Sequence, residues 1–430
     1  MGFKRVLSFS DILWLGIGGM VGVAVLTFPS MTYASAGPSS IISWILAGVF
    51  SLLMALIYAE MVTAFPKSGA LVVFPYQAFG KGRLARYLAF LEGIGYYLGT
   101  LFGIVISAII IGNYVSPFFS SGIGLIVAGE IALLFVGVIN LLGARMTSDA
   151  NKAMSIIFTV FFSIIIVLAL FHGKFSNLTP FVSGSSGAYG ILYSIPIAIL
   201  AYGSWTAIIA VPEETRNVKK MAKAILYSIA IVTILYALLV LATYAGLTKA
   251  GIGSNYYYPI LGLVSTFNSP FLTAAFEFSA VLAILAVMLV MIMANSRIIY
   301  ALGKLNFLPS SMEKLSKNSI PLYATLLSFG IPMLLTFFPS QYYQYVIIGA
   351  VVGTGIPRII DLAAYLKIRK SKDYKPQFRV KHGLAIAAIA LIGLLISEIG
   401  ISANDVFWSV ATLVLITLAF VLVERWRSRD

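Results

Sequence analysis

The chain contains no cysteine. That removes disulfide frameworks, thiolate metal sites and cysteine nucleophiles from consideration. Histidine is nearly as scarce, with only His172 and His382, and both fall in predicted loops. No Ser/His/Asp set and no metal-ligand triad can be assembled, so neither an enzyme nor a metal centre is expected. No glycine-rich loop ends in Gly-Lys-Ser/Thr, which argues against an ATP-driven machine. Charge is sparse as well: charged residues are 10% of the 430, against about 25% in ordinary soluble domains. Hydrophobic residues make up 60%. This is the composition of an all-α polytopic membrane protein.

Apolar stretches long enough to cross a bilayer recur along one undivided domain, residues 1–430. They cover about 12–36, 40–62, 87–114, 123–143, 153–171, 188–211, 224–247, 272–302, 321–338, 343–366, 384–402 and 405–423. The net charge of +14 would suit nucleic acid if it formed a patch, but the basic residues gather at alternate loops. All 29 Lys and Arg except Lys174, Lys249 and Arg358 fall towards the side of the N-terminus. Under the positive-inside rule this predicts twelve spans with both termini in the cytoplasm.

Span 1 carries Gly16, Gly18, Gly19 and Gly22 within seven positions. Each glycine costs a helix about 1 kcal/mol relative to alanine, so a continuous helix is not expected. A break at bilayer depth frees backbone N–H and C=O groups that lipid cannot satisfy, and it persists only where those groups line a cavity. The N-terminus of the second half-helix then presents positive partial charge to an anion. Span 6 carries a similar interruption, Pro196 followed by Ala201-Tyr202-Gly203-Ser204-Trp205. Two interrupted spans five apart predict an inverted five-plus-five repeat, about 12–171 and 188–366, with a site at the midplane and helices 11 and 12 (about 384–423) added after it.

Acids at bilayer depth are costly and default to function. Glu92, beside Gly93 and Gly95, is a candidate proton-coupling group or gate; Glu130 and Glu277 also lie within spans. Arg358 and Asp361 have the i,i+3 spacing of a pair on one helix face. Tyr202, Tyr96 and Tyr97 are candidate pocket or gate residues. Glu60, Glu213 and Glu214 are expected in an inner-side charge network with Arg216, Lys219 and Lys220. A close-packing role for the Gly18–Gly22 pair is the competing account of span 1.

Three stretches make the chain resemble the amino acid–polyamine–organocation transporters: Gly18 to Leu26 with Pro29, Tyr58-Ala59-Glu60 through Phe65-Pro66-Lys67-Ser68-Gly69-Ala70 to Gly80, and Ala201 through Glu213-Glu214-Thr215-Arg216-Asn217. A weaker fourth runs from Ser296-Arg297 to Leu308-Pro309. The resemblance implies a LeuT-like inverted-repeat core and secondary transport of amino acids or related amines by alternating access across the plasma membrane. It implies that the substrate carboxylate sits on the amides of Val23 and Ala24 after Gly22, and the ammonium on the carbonyls of Met20, Leu200 and Gly203. Trp205 matches an aromatic beside the substrate. The chain departs from the family in having Val23 and Ala24 where a small residue and glycine are usual, which narrows the cavity. It also has Phe158 where some proton-coupled members have lysine. No cofactor is implied beyond a coupling proton or sodium ion, and the partners are a small-molecule substrate and the bilayer. A membrane sensor with the same pocket, or an uncoupled uniporter or exchanger, are the alternatives.

Overall fold

The computed structural model describes residues 2–80, 82–115, 122–338, 349, 351–372, 374–397 and 403–427. Within them the architecture is all helix, joined only by isolated bridges such as the parallel one between Leu7 and Thr215. The helices are α1 (Phe9–Met20), α2 (Val23–Ala36), α3 (Ser40–Ala64), α4 (Ala70–Phe79), α5 (Arg83–Val115) and α6 (Gly122–Leu141). There follow α7 (Ala144–His172), α8 (Gly190–Tyr202), α9 (Val218–Gly246), α10 (Lys249–Ser254), α11 (Pro259–Ser265) and α12 (Pro270–Lys304). The last are α13 (Leu322–Leu335), α14 (Ile356–Ile368), α15 (Gly383–Ser397) and α16 (Ala403–Arg427). Among the described residues, eight helical segments are long and apolar enough to cross a membrane, and four shorter apolar helices accompany them.

Every apolar stretch marked in the sequence coincides with helix where its residues are described. The beginning of span 10, the end of span 11, the loop around Pro117 and the terminal Arg429 lie outside the described residues. The differences are at the polar edges. The polar corner after span 2 holds the short helix α4, and the loop after span 7 holds α10 and α11. Span 5 begins at Ala144 rather than near 153, because Arg145 and Asp149 form an i,i+4 ion pair (2.9 Å) that supports an extra helical turn. His172 is the last residue of α7 rather than a loop residue. Helix starts follow ordinary capping chemistry: Ser8 and Asp11 form a reciprocal capping box at α1, and the Asn217 side chain accepts the Lys220 N–H at α9.

The interrupted segments occupy the centre. α1 packs on α7, α9 and α12, α2 packs on α8, and α3 crosses both α8 and α9. The periphery is the reverse of a soluble protein's. Phe407, Leu415 and Leu422 on α16 are 63%, 66% and 65% exposed, and similar apolar residues cover the outer faces of α6, α7 and α15. In water such a surface would aggregate; in lipid it is the solvated face.

Candidate substrate site

α1 ends at Met20. Val21 turns extended (ψ 105°), Gly22 follows at φ −164°, and α2 starts at Val23 with no side chain capping it. The leading N–H groups of α2 therefore lack intrahelical partners. Gly22 is not required by its φ, which is extended; it is required by space. A Cβ there would stand 2.6 Å from Val287 Cγ2 on α12. At Gly18 a Cβ would strike Ser155 Oγ and come within 2.6 Å of Asn151 on α7. The glycines thus do both jobs raised by the sequence: they pack α1 tightly against its neighbours, and Gly22 leaves the break uncovered.

Span 6 is interrupted differently. α8 stops at Tyr202 and the chain tightens into a 3-10 helix, Gly203–Ala210. The Gly203 N–H donates to the Leu200 carbonyl, and the Thr206 hydroxyl donates to the Gly203 carbonyl (2.9 Å). On the other side, the Tyr236 hydroxyl from α9 reaches the Met20 carbonyl at 2.7 Å and the Ala201 carbonyl at 3.2 Å. The Met20 and Leu200 carbonyls each have one such donor and keep a second lone pair, whereas the Gly203 carbonyl takes both the Thr206 hydroxyl and, within the 3-10 helix, the Thr206 N–H.

A cavity of about 180 Å³ opens where the two interruptions meet. Met20, Gly22, Val23, Ala24, Leu200 and Gly203 all line it, with Tyr96 from α5. Trp205 and Tyr202 do not. Trp205 is 1% exposed and sits edge-on against Tyr58 (5.2 Å between centroids), facing a separate small void that Arg358 also lines. The Tyr202 hydroxyl donates to the Trp44 carbonyl (3.0 Å). A 3-10 helix turns every 3.0 residues rather than 3.6, which carries Trp205 away from the face an α-helix would give it.

Glu92 lies one layer behind the cavity. It lines a small void with Tyr58, Arg358, Tyr96, Thr206 and Thr354, the last three of which also line the main cavity. Its carboxyl lies against that of Asp361. Both side chains are buried, and the Tyr58 hydroxyl stands beside Asp361. Asp361, which shares the i,i+3 spacing with Arg358, meets Glu92. The inner acids also divide differently from the expected single network. Glu214 is bound by Arg297 (2.5 and 3.1 Å), a fully buried pair. Glu213 meets Lys67 at 3.8 Å, and Glu60 meets Arg369 and accepts from the Tyr365 hydroxyl. Arg216 is exposed and engaged through its backbone.

Sequence reasoning missed Asn151, Ser155 and Tyr236. Phe158, at the position of the family lysine, is buried against Phe162 (5.8 Å). The polar contact from α7 comes a turn or two earlier, where Asn151 donates to the Ala286 carbonyl at 3.0 Å.

A family model for amino acid permeases matches residues 7–423. The chain belongs to the amino acid permease family. The branched-chain amino acid permease BcaP of Bacillus subtilis (strain 168) is 28% identical over 345 residues, 75% of this chain and 72% of that protein. The methylthioribose transporter of the same organism is 27% identical over 333 residues, 72% and 69%. BcaP of Lactococcus lactis subsp. cremoris (strain MG1363) is 24% identical over 422 residues, 91% and 89%. The relatives of this permease are transporters, and the multi-pass apolar helices match that class.

Proposed function

We propose that this permease is a secondary active transporter for amino acids or related amines, with twelve spans in an inverted five-plus-five arrangement and both termini in the cytoplasm of a plasma-membrane protein. One observation carries the reading: the uncapped N-terminus of α2 and the interrupted end of α8 face each other across a single cavity. A zwitterion complements that arrangement. Its carboxylate is favoured at the amides of Val23 and Ala24, where the helix dipole is positive. Its ammonium is favoured at the remaining lone pairs of Met20 and Leu200, where α1 and α8 end and their dipoles are negative, with the Gly203 carbonyl beside them.

Alternating access requires the inner end to part. The Arg297–Glu214 pair, the strand-like pairing of Leu7 with Glu214 and Arg216 (2.9 Å each), and the Gly69 N–H to Ala210 carbonyl bond close that end in this conformation. Coupling is assigned to Glu92 together with Asp361. Two buried carboxyls in contact form a place where a proton is shared, and the pair is one wall away from the substrate.

The test is counterflow in proteoliposomes loaded with a mixture of unlabelled amino acids. At least one labelled amino acid should accumulate transiently against its gradient. Saturable binding without flux would replace the transporter by a sensor, and non-saturating flux would indicate a channel.

A further inference from the structure

We infer that the substrate is a neutral α-amino acid with an aliphatic side chain, up to about the size of leucine. This rests on the permease reading above and concerns the part of the cavity that the zwitterion's main chain does not fill.

The wall there is built from Val23, Phe28, Ile106, Val287 and Met291. Three of the hydroxyls on the lining are committed, while that of Tyr96, which faces both this cavity and the void of Glu92, makes no hydrogen bond among the described residues. Thr100 donates to the Tyr96 carbonyl (2.8 Å), Ser107 to the Gly103 carbonyl (2.7 Å) and Thr206 to the Gly203 carbonyl (2.9 Å). Among the described residues, no Asp, Glu, Lys, Arg or His lines this cavity. Glu92 and Asp361 stand behind Tyr96, Thr206 and Thr354, and Arg358 approaches only at the helix interruption, where its Nη2 would lie 3.8 Å from a Cβ on Gly203. A charged side chain entering this space would lose its water and find no charged partner in that wall, a cost that a binding site cannot absorb. An apolar side chain loses nothing and gains burial.

Size is limited from two sides. Val23 puts a branched side chain at the break itself. Met291 reaches from α12 to α5, where Gly103 leaves it room: a Cβ at Gly103 would lie 3.1 Å from its Cε and 3.2 Å from its Sδ. A thioether is adaptable in shape, so Met291 closes on a small side chain and yields to a leucine-sized one, whereas an indole would have to displace it.

The experiment is competition against labelled L-leucine uptake in proteoliposomes. Excess valine, isoleucine, leucine or methionine should suppress uptake at least about tenfold, while lysine, arginine, aspartate and glutamate leave it within about twofold. Met291→Ala should move the preference from leucine towards phenylalanine by about tenfold. Preferred transport of lysine or aspartate would overturn the inference, aspartate by showing that Arg358 reaches the substrate, and would leave the permease reading standing. Failure of every labelled amino acid to exchange would instead overturn the permease reading. The wild-type panel decides the question even if the Met291 variant does not fold.

Discussion

Replacing Gly22 by valine separates the two roles this glycine plays. The new Cβ would lie 2.6 Å from Val287 Cγ2, well inside contact distance, and a β-branched side chain on a helix has little rotamer freedom to retreat. Overpacking of this kind costs about 1–3 kcal/mol. The backbone itself is not strained, since φ at Gly22 is −164°. The valine methyls also stand over the leading amides of α2. Losing one charge-assisted hydrogen bond there should cost about 1.5–3 kcal/mol, a fall in affinity of roughly tenfold to a hundredfold. Val287→Ala removes the methyls in the way, so Gly22→Val/Val287→Ala nearly conserves volume. Thermal denaturation in detergent should show the single Gly22→Val variant destabilised and the double variant largely restored. Ligand-induced thermal shift or scintillation proximity should show both with weakened binding. If the double variant bound substrate as the wild type does, Gly22 would serve only helix packing, and the backbone-recognition account would be wrong.

Glu92→Gln and Asp361→Asn should each abolish pH-driven accumulation while retaining counterflow, and the double variant should be no worse than either; unchanged pH-driven uptake in one would remove that residue from coupling. Glu214→Ala should destabilise the protein by about 3–5 kcal/mol by leaving Arg297 buried without its carboxylate, whereas an apolar replacement of both should be far milder; chemical denaturation of the two variants checks this. Cysteines placed at Lys174 and Lys249 should react with an impermeant reagent added outside intact cells, and one at Lys219 or Lys370 should not; the opposite pattern would invert the topology. Trp205→Ala should slow transport more than it weakens binding, because the ring lies against Tyr58 and outside the cavity; equal loss of both would place it in direct contact with substrate.

The main features of the site were legible because they are backbone features. Clustered glycines at 16–22 report a helix that cannot continue, and the residues flanking that break, Met20 and Gly22 to Ala24, do line the cavity with Leu200, Gly203 and Tyr96. Side-chain direction was not legible. Trp205 follows a switch from α to 3-10 geometry, and a change of period rotates every later residue. The meeting of Glu92 with Asp361 was hidden because the two lie on helices far apart in sequence, whereas the i,i+3 spacing to Arg358 was visible. Tyr236 sits in an unremarkable apolar run, and its significance exists only because α9 packs behind both interruptions. Helix boundaries slipped where charged residues formed i,i+4 pairs and extended a helix beyond its apolar portion, as at Arg145 and Asp149.

The central claim is that substrate occupies the cavity between the two interrupted helices. The absence of native cysteine makes one measurement direct. Ser204 lines the cavity and is only half-buried. A single Ser204→Cys variant, reconstituted in proteoliposomes, should be labelled by a small thiol reagent with loss of uptake, and the transported amino acid should slow that labelling at concentrations that saturate transport. Saturable transport with no protection of the cysteine would place the substrate elsewhere and contradict the account.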